Sequence, residues 1–253
     1  MDYFYIFMWT MIAVAFIVFV ALFFVDAGYG KFISRKWGYA IANKLAWILM
    51  EAPVAILLLL FWVFSDRKMM LVPFLLLLFM EIHYIHRAFI FPFLLRGKSK
   101  MPLGIMFMGV TFNIANAFMQ GYWIFYYVSP EMYSSAWLQT PQFIIGTVLF
   151  FIGLIINMDS DKRIRNLRKT GDNKHYLPKG GMYNYVTSAN YFGELIEWTG
   201  FAVAAWSMAG LVFVIWSFAN LVPRAHAIYR QYKKEFTEEM QGKNLKRIFP
   251  FIY

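Results

Sequence analysis

Apolar runs long enough to cross a bilayer recur along almost the whole chain, and this repetition constrains the fold more than any other feature. A helical span needs about 20 residues, and windows of that kind fall at roughly 3–25, 38–64, 69–95, 102–128 and 139–158. Two shorter or interrupted ones follow at 189–206 and 208–230. Lipid offers the backbone no hydrogen bonds, so such segments must be helices. The expected class is therefore an all-α integral membrane protein with seven transmembrane helices. They form a single domain over residues 1–253, with no room for a separate soluble unit. Tyr3 to Val25 lacks a basic leader and exceeds a signal-peptide core, so it reads as a retained helix.

Charge orients the spans. The chain carries a net charge of +10 although 60% of it is hydrophobic. Its basic residues sit between the spans: Lys31, Arg35 and Lys36, then Arg96, Lys98 and Lys100, then the crowded segment 159–180 and the tail beyond Pro223. The connections Ser129 to Leu138 and Ser207 to Gly210 have no Lys or Arg. The positive-inside rule then puts the N-terminus outside and the C-terminus in the cytoplasm, with Arg67 and Lys68 as the exception. Anchoring at an anionic leaflet, or an anionic ligand, explains the charge better than nucleic acid. A chain without cysteine has no thiolate chemistry and no iron–sulfur centre. There is no G-x-G-x-x-G turn, P-loop or H-E-x-x-H helix. The spacing of His83 and His86 is weak evidence for a metal, and none is expected.

Polar residues inside the spans carry the chemistry. Glu51 lies deep in the second window, and an ionisable group there is a functional hypothesis by default. Pro53 cannot donate to the carbonyl of Leu49, which leaves an acceptor beside the acid. Tyr84 lies in the third window at a matching depth of roughly 18–20 Å from the cytoplasmic surface, at 1.5 Å per residue. Asn113, Asn116 and Gln120 share one side of the fourth helix and are expected to line the same polar cavity. Asn157, Asp161, Arg165 and Arg168 form a stripe as the fifth helix leaves the membrane, offering guanidinium forks and acceptors to phosphates and hydroxyls. Asn190, Glu194 and Glu197 share a face of the sixth, preceded by Gly180 and Gly181, which permit close backbone approach. A nucleotide-sized ligand is the expected occupant, with donors from Arg224, His226, Tyr229, Arg230 and Tyr232.

Five stretches, HYIHRAF, the QGY at 120–122, N-x-x-S-D with R-x-L-R-K at 157–169, GGMYNYVTSANYFGELIEW and the terminal FPFIY, resemble the steroid 5α-reductase family. The resemblance covers the C-terminal two-thirds and weakens toward the second helix. It implies an NADPH-dependent reductase of a 3-oxo-4-ene steroid or a similar flat apolar enone, acting as a monomer in a bacterial inner membrane or the endoplasmic reticulum. It assigns Glu51 and Tyr84 to the substrate's 3-oxo oxygen. It assigns Asn116, Asn157, Asp161, Arg165 and Arg168 to the cofactor, together with Tyr176, Asn190, Glu194, Arg224 and Tyr232. The expected relative is a bacterial or other non-animal homologue; Met50 stands where the animal enzymes carry Gln, which bears on substrate detail, and Ile228 stands where the C-terminal motif has His, with His226 two residues before it. Enoyl-thioester or sterol-ring reductases share the need for an activated double bond. A membrane methyltransferase using S-adenosylmethionine and a transporter with a carboxylate relay are the alternatives from other classes.

Overall fold

A computed structural model describes residues 2–25, 35–96, 99–167 and 176–253. Six helices are long and apolar enough to cross a membrane: α1 (Tyr3–Phe24), α2 (Asn43–Val63), α3 (Leu71–Leu94), α4 (Leu103–Tyr127), α5 (Pro141–Asn166) and α7 (Met208–Glu235). Between the last two lies α6 (Ala189–Ala205), with 17 residues and a largely buried surface. Helix α5 runs about two turns past the expected end at 158, to Asn166, and carries the i,i+4 ion pair of Asp159 with Arg163 on this stretch.

A three-residue ribbon fixes the height of two helices. Strands β1 (Ala40–Ala42) and β2 (Lys100–Pro102) pair antiparallel, and each leads directly into a helix. Backbone bonds from Asn43 to Ser99 and from Leu103 to Tyr39 extend the ladder. The first turns of α2 and α4 are thereby held at one level, and the two helices leave it in the same direction. Glu51, about two turns into α2, and Asn113, about three turns into α4, come to similar depth.

Helices α5 and α6 approach closely because glycines face each other: Gly146 and Gly153 on one, Gly193 and Gly200 on the other. A Cβ on Gly153 would overlap the backbone of Glu197, and one on Gly200 the backbone of Phe150. Membrane helices associate through packing and small residues rather than through hydrophobic transfer, so this seam is what joins them. Helix α6 ends at Trp206 in the left-handed region (φ 46°), and the Ser207 hydroxyl then accepts from the Gly210 N–H to start α7.

Helix α3 changes pitch at His86–Ile90, where the Phe91 N–H reaches back to the His86 carbonyl. Pro92 follows at once and cannot donate to Ala88, so the wide turn relieves the break. The loops of the opposite face are also accounted for. Arg67 donates to the carbonyls of Ile124 and Tyr126 at the end of α4, and Ser65 to that of Phe125. This capping role ties Arg67 to the end of α4. Tyr133 and Trp137 do the same for α6, donating to Ala205 and Ala204. At the other end the segment around Lys246 pairs with Tyr185 to Ser188 ahead of α6.

Candidate active site

Two side-chain amides on α4, three residues apart, tie together the acid of α2 and the phenol of α3. The Asn113 amide donates to Glu51 Oε2 at 3.1 Å and to the Met50 carbonyl at 2.7 Å. The Asn116 amide donates to the Tyr84 hydroxyl at 3.1 Å. Gln120 donates to Asn116 Oδ1 at 3.2 Å and to the Ala209 carbonyl at 2.9 Å. The chain of bonds has a direction: an amide N–H occupies the lone pair of Tyr84, so the phenol keeps its own proton to give elsewhere. Trp198 stacks on the Tyr84 ring, with centroids 5.8 Å apart, and limits its rotation. The acceptor that Asn113 meets is Met50, one residue along from the Leu49 carbonyl expected from Pro53.

Nearer the basic face, Arg87 is a hub. It pairs with Asp161 at 2.6 Å and stands 3.6 Å from Glu194, and its guanidinium lies over the rings of Trp47 and Phe91. Asn190 donates to the second oxygen of Asp161 at 3.1 Å, and Asn157 donates to the Asn190 carbonyl at 2.9 Å. Asn157 and Asp161 on α5 and Asn190 and Glu194 on α6, the bonded pairs lying 29 and 33 positions apart in sequence, thus form one cluster across the α5–α6 seam. Asp161 and Arg165 also line a cavity of about 120 Å³ with Phe91, Arg96 and Ser99. Arg224 lies over the Tyr191 ring, and Tyr232 packs against Leu177 and Met240. Tyr176 is part-exposed at the start of the segment before α6. Arg168 lies outside the described residues.

The sixth-helix stripe divides. Asn190 and Glu194 turn to Arg87, whereas Glu197 turns to His83 at 2.8 Å under the Trp198 ring. That pair was not apparent in the sequence, because the 83–197 contact depends on how α3 meets α6. Glu81 also escaped the sequence reading, one position before the conspicuous HYIHR stretch. It is 4% exposed, and both carboxyl oxygens lack a partner among the described residues. Among the described residues the buried Ser188 hydroxyl, two residues before Asn190, likewise has none. Burial, with Asp161 next in effect, pushes the nearby Tyr183 phenol well above its ordinary range and keeps it neutral.

Residues 99–253 match the family described as 3-oxo-5-alpha-steroid 4-dehydrogenase. The chain belongs to this family. It is 38% identical over 242 residues to the steroid 5-alpha-reductase DET2 of Arabidopsis thaliana, spanning 92% of this chain and 90% of the relative. The 3-oxo-5-alpha-steroid 4-dehydrogenase 1 of Macaca fascicularis is 37% identical over 230 residues (90% and 86%), and that of Homo sapiens 36% over 227 (89% and 86%). Plant and mammalian relatives therefore stand about equally far from the chain. Membership makes the protein an oxidoreductase and sets aside the transporter and methyltransferase alternatives.

Proposed function

We propose that this chain is a membrane-embedded, NADPH-dependent steroid 5α-reductase that adds hydride to the β-carbon of a 3-oxo-4-ene steroid. The observation that carries this reading is the convergence of Glu51 and Tyr84 through Asn113 and Asn116. As the β-carbon is reduced, negative charge develops on the carbonyl oxygen, and donors fixed in a dry site stabilise it most. Tyr84 offers its hydroxyl proton, with Asn116 holding the oxygen from behind. Glu51 in its acid form offers a second donor from Oε1, because Asn113 occupies Oε2.

The residues around Arg87 fit the cofactor. A dinucleotide presents ribose hydroxyls and a carboxamide to the carboxylates and amides at Asp161, Asn190 and Glu194. It presents phosphates to Arg165, Arg168 and Arg224. The buried, unmet Ser188 hydroxyl supports a polar ligand at this place. NADPH bound there supplies the hydride. Asn116 and the phenols of Tyr176 and Tyr232 complete the set that the reading assigns to it. In the same reading α6 is the seventh span, the N-terminus is outside and the C-terminus cytoplasmic, in a bacterial or endoplasmic reticulum membrane, with one chain sufficient.

Purified protein given NADPH and a 3-oxo-4-ene steroid is expected to lose the nicotinamide absorbance and yield the 5α product. Tyr84→Phe lowers kcat by about 10²–10³, and Glu51→Gln acts in the same direction. Both variants bind NADPH as the parent does. Full activity in both would remove the assignment of the donors.

A further inference from the structure

Glu81 has no part in the chemistry above, yet it is the least satisfied polar group in the core. Its carboxyl is buried on α3, and neither oxygen has a partner among the described residues. Leaving buried acceptors unmet is costly, so the position calls for something that meets them. Glu81 stands three residues before Tyr84 and shares its face. On the neighbouring helix the contact between the Trp62 and Phe74 rings, 5.7 Å apart, sets an antiparallel register. That register carries Glu81 to the level of Ala55, one turn beyond Glu51 on the buried face of α2. The carboxyl therefore lies about 4.5 Å farther from the basic face than Tyr84, on the side to which the body of a substrate extends when its carbonyl meets Tyr84.

We infer that Glu81 selects the substrate: it is the hydrogen-bond partner of a hydroxyl carried on the ring system close to the enone. Cβ atoms one turn apart are about 5–6 Å from each other, which reaches the first two rings and falls short of the far end of a steroid. A hydroxyl is the group that suits either form of the acid, since it donates to a carboxylate and both donates to and accepts from a carboxylic acid. A ketone suits only one form, and a bare hydrocarbon ring neither. The inference rests on the reductase reading for the placement of the carbonyl.

The test compares one 3-oxo-4-ene steroid with its derivative hydroxylated on ring B, by kcat/KM with NADPH and by thermal shift of the protein in detergent. The native chain is expected to favour the hydroxylated compound by about tenfold or more in kcat/KM, and to be raised further in melting temperature by it. Glu81→Leu brings the ratio to about one while the parent steroid is still reduced, and Glu81→Gln keeps a reduced preference. Because Glu81→Leu replaces an unmet polar group by an apolar one of similar size, the variant melts at or above the native temperature. A ratio unchanged by Glu81→Leu, or a native chain without preference, overturns the inference. If neither steroid is reduced but the hydroxylated one gives a larger, Glu81-dependent shift, the substrate site stands and the reductase reading fails.

Discussion

Asp161 and Arg87 show how much a single residue can decide in this interior. A buried ion pair adds little net stability over apolar packing, but removing one member leaves an uncompensated charge. Asp161→Leu is therefore expected to destabilise the protein by about 3–5 kcal/mol, read as a lowered unfolding temperature in detergent. The pairwise variant Asp161→Leu with Arg87→Met recovers much of that loss, and no recovery would mean that the two act independently. At this scale the sequence was partly legible. Glu51, Tyr84, Asn113 and Asn116 announce themselves because polar groups are conspicuous against apolar neighbours. Arg87 as a hub, and the pairing of His83 with Glu197, follow from which helix each meets, and helical spacing carries no information about partners. Glu81 carries the same signal that marks Glu51, a lone acid in an apolar run, next to a denser cluster of His, Tyr and Arg.

Among the elements, the α5–α6 seam has the sharpest consequence. Gly153→Ala places a methyl against the Glu197 backbone, where no rotamer can relieve it. Overpacking of this kind costs about 1–3 kcal/mol. It also parts Asn157 from Asn190, so the Kd for NADPH should rise as the melting temperature falls. Gly109→Ala is the control, since its methyl meets the flexible Met50 thioether rather than backbone. Equal losses in the two variants would contradict the seam as the determinant. The glycine pairs, each seven apart on its own helix, were present in the sequence and could have predicted the contact. The β1–β2 ribbon could not have been foreseen, because three-residue strands leave no alternation to detect. The wide turn of α3 was signalled by Pro92, which excludes a regular helix there without specifying how it yields.

For the whole molecule, long apolar windows gave the helices almost directly, since lipid permits little else. They were less informative at the ends, where charged turns prolong α5 beyond its apolar window, whereas the short window at 189–206 matches α6 closely. Orientation is open to a clean test because the chain has no cysteine of its own. In intact cells a Ser135→Cys variant is expected to react with an impermeant thiol reagent, and Lys243→Cys only after permeabilisation. The reverse pattern would invert the topology and move the cofactor cluster to the outer face. The central claim, that Glu51 and Tyr84 act on one carbonyl oxygen, is tested most directly by the infrared carbonyl stretch of a steroid enone labelled at that carbonyl and bound to the protein. Two donors should move the band to lower frequency than in water, and Tyr84→Phe and Glu51→Gln should each restore part of the shift. An identical band in all three proteins would contradict the account.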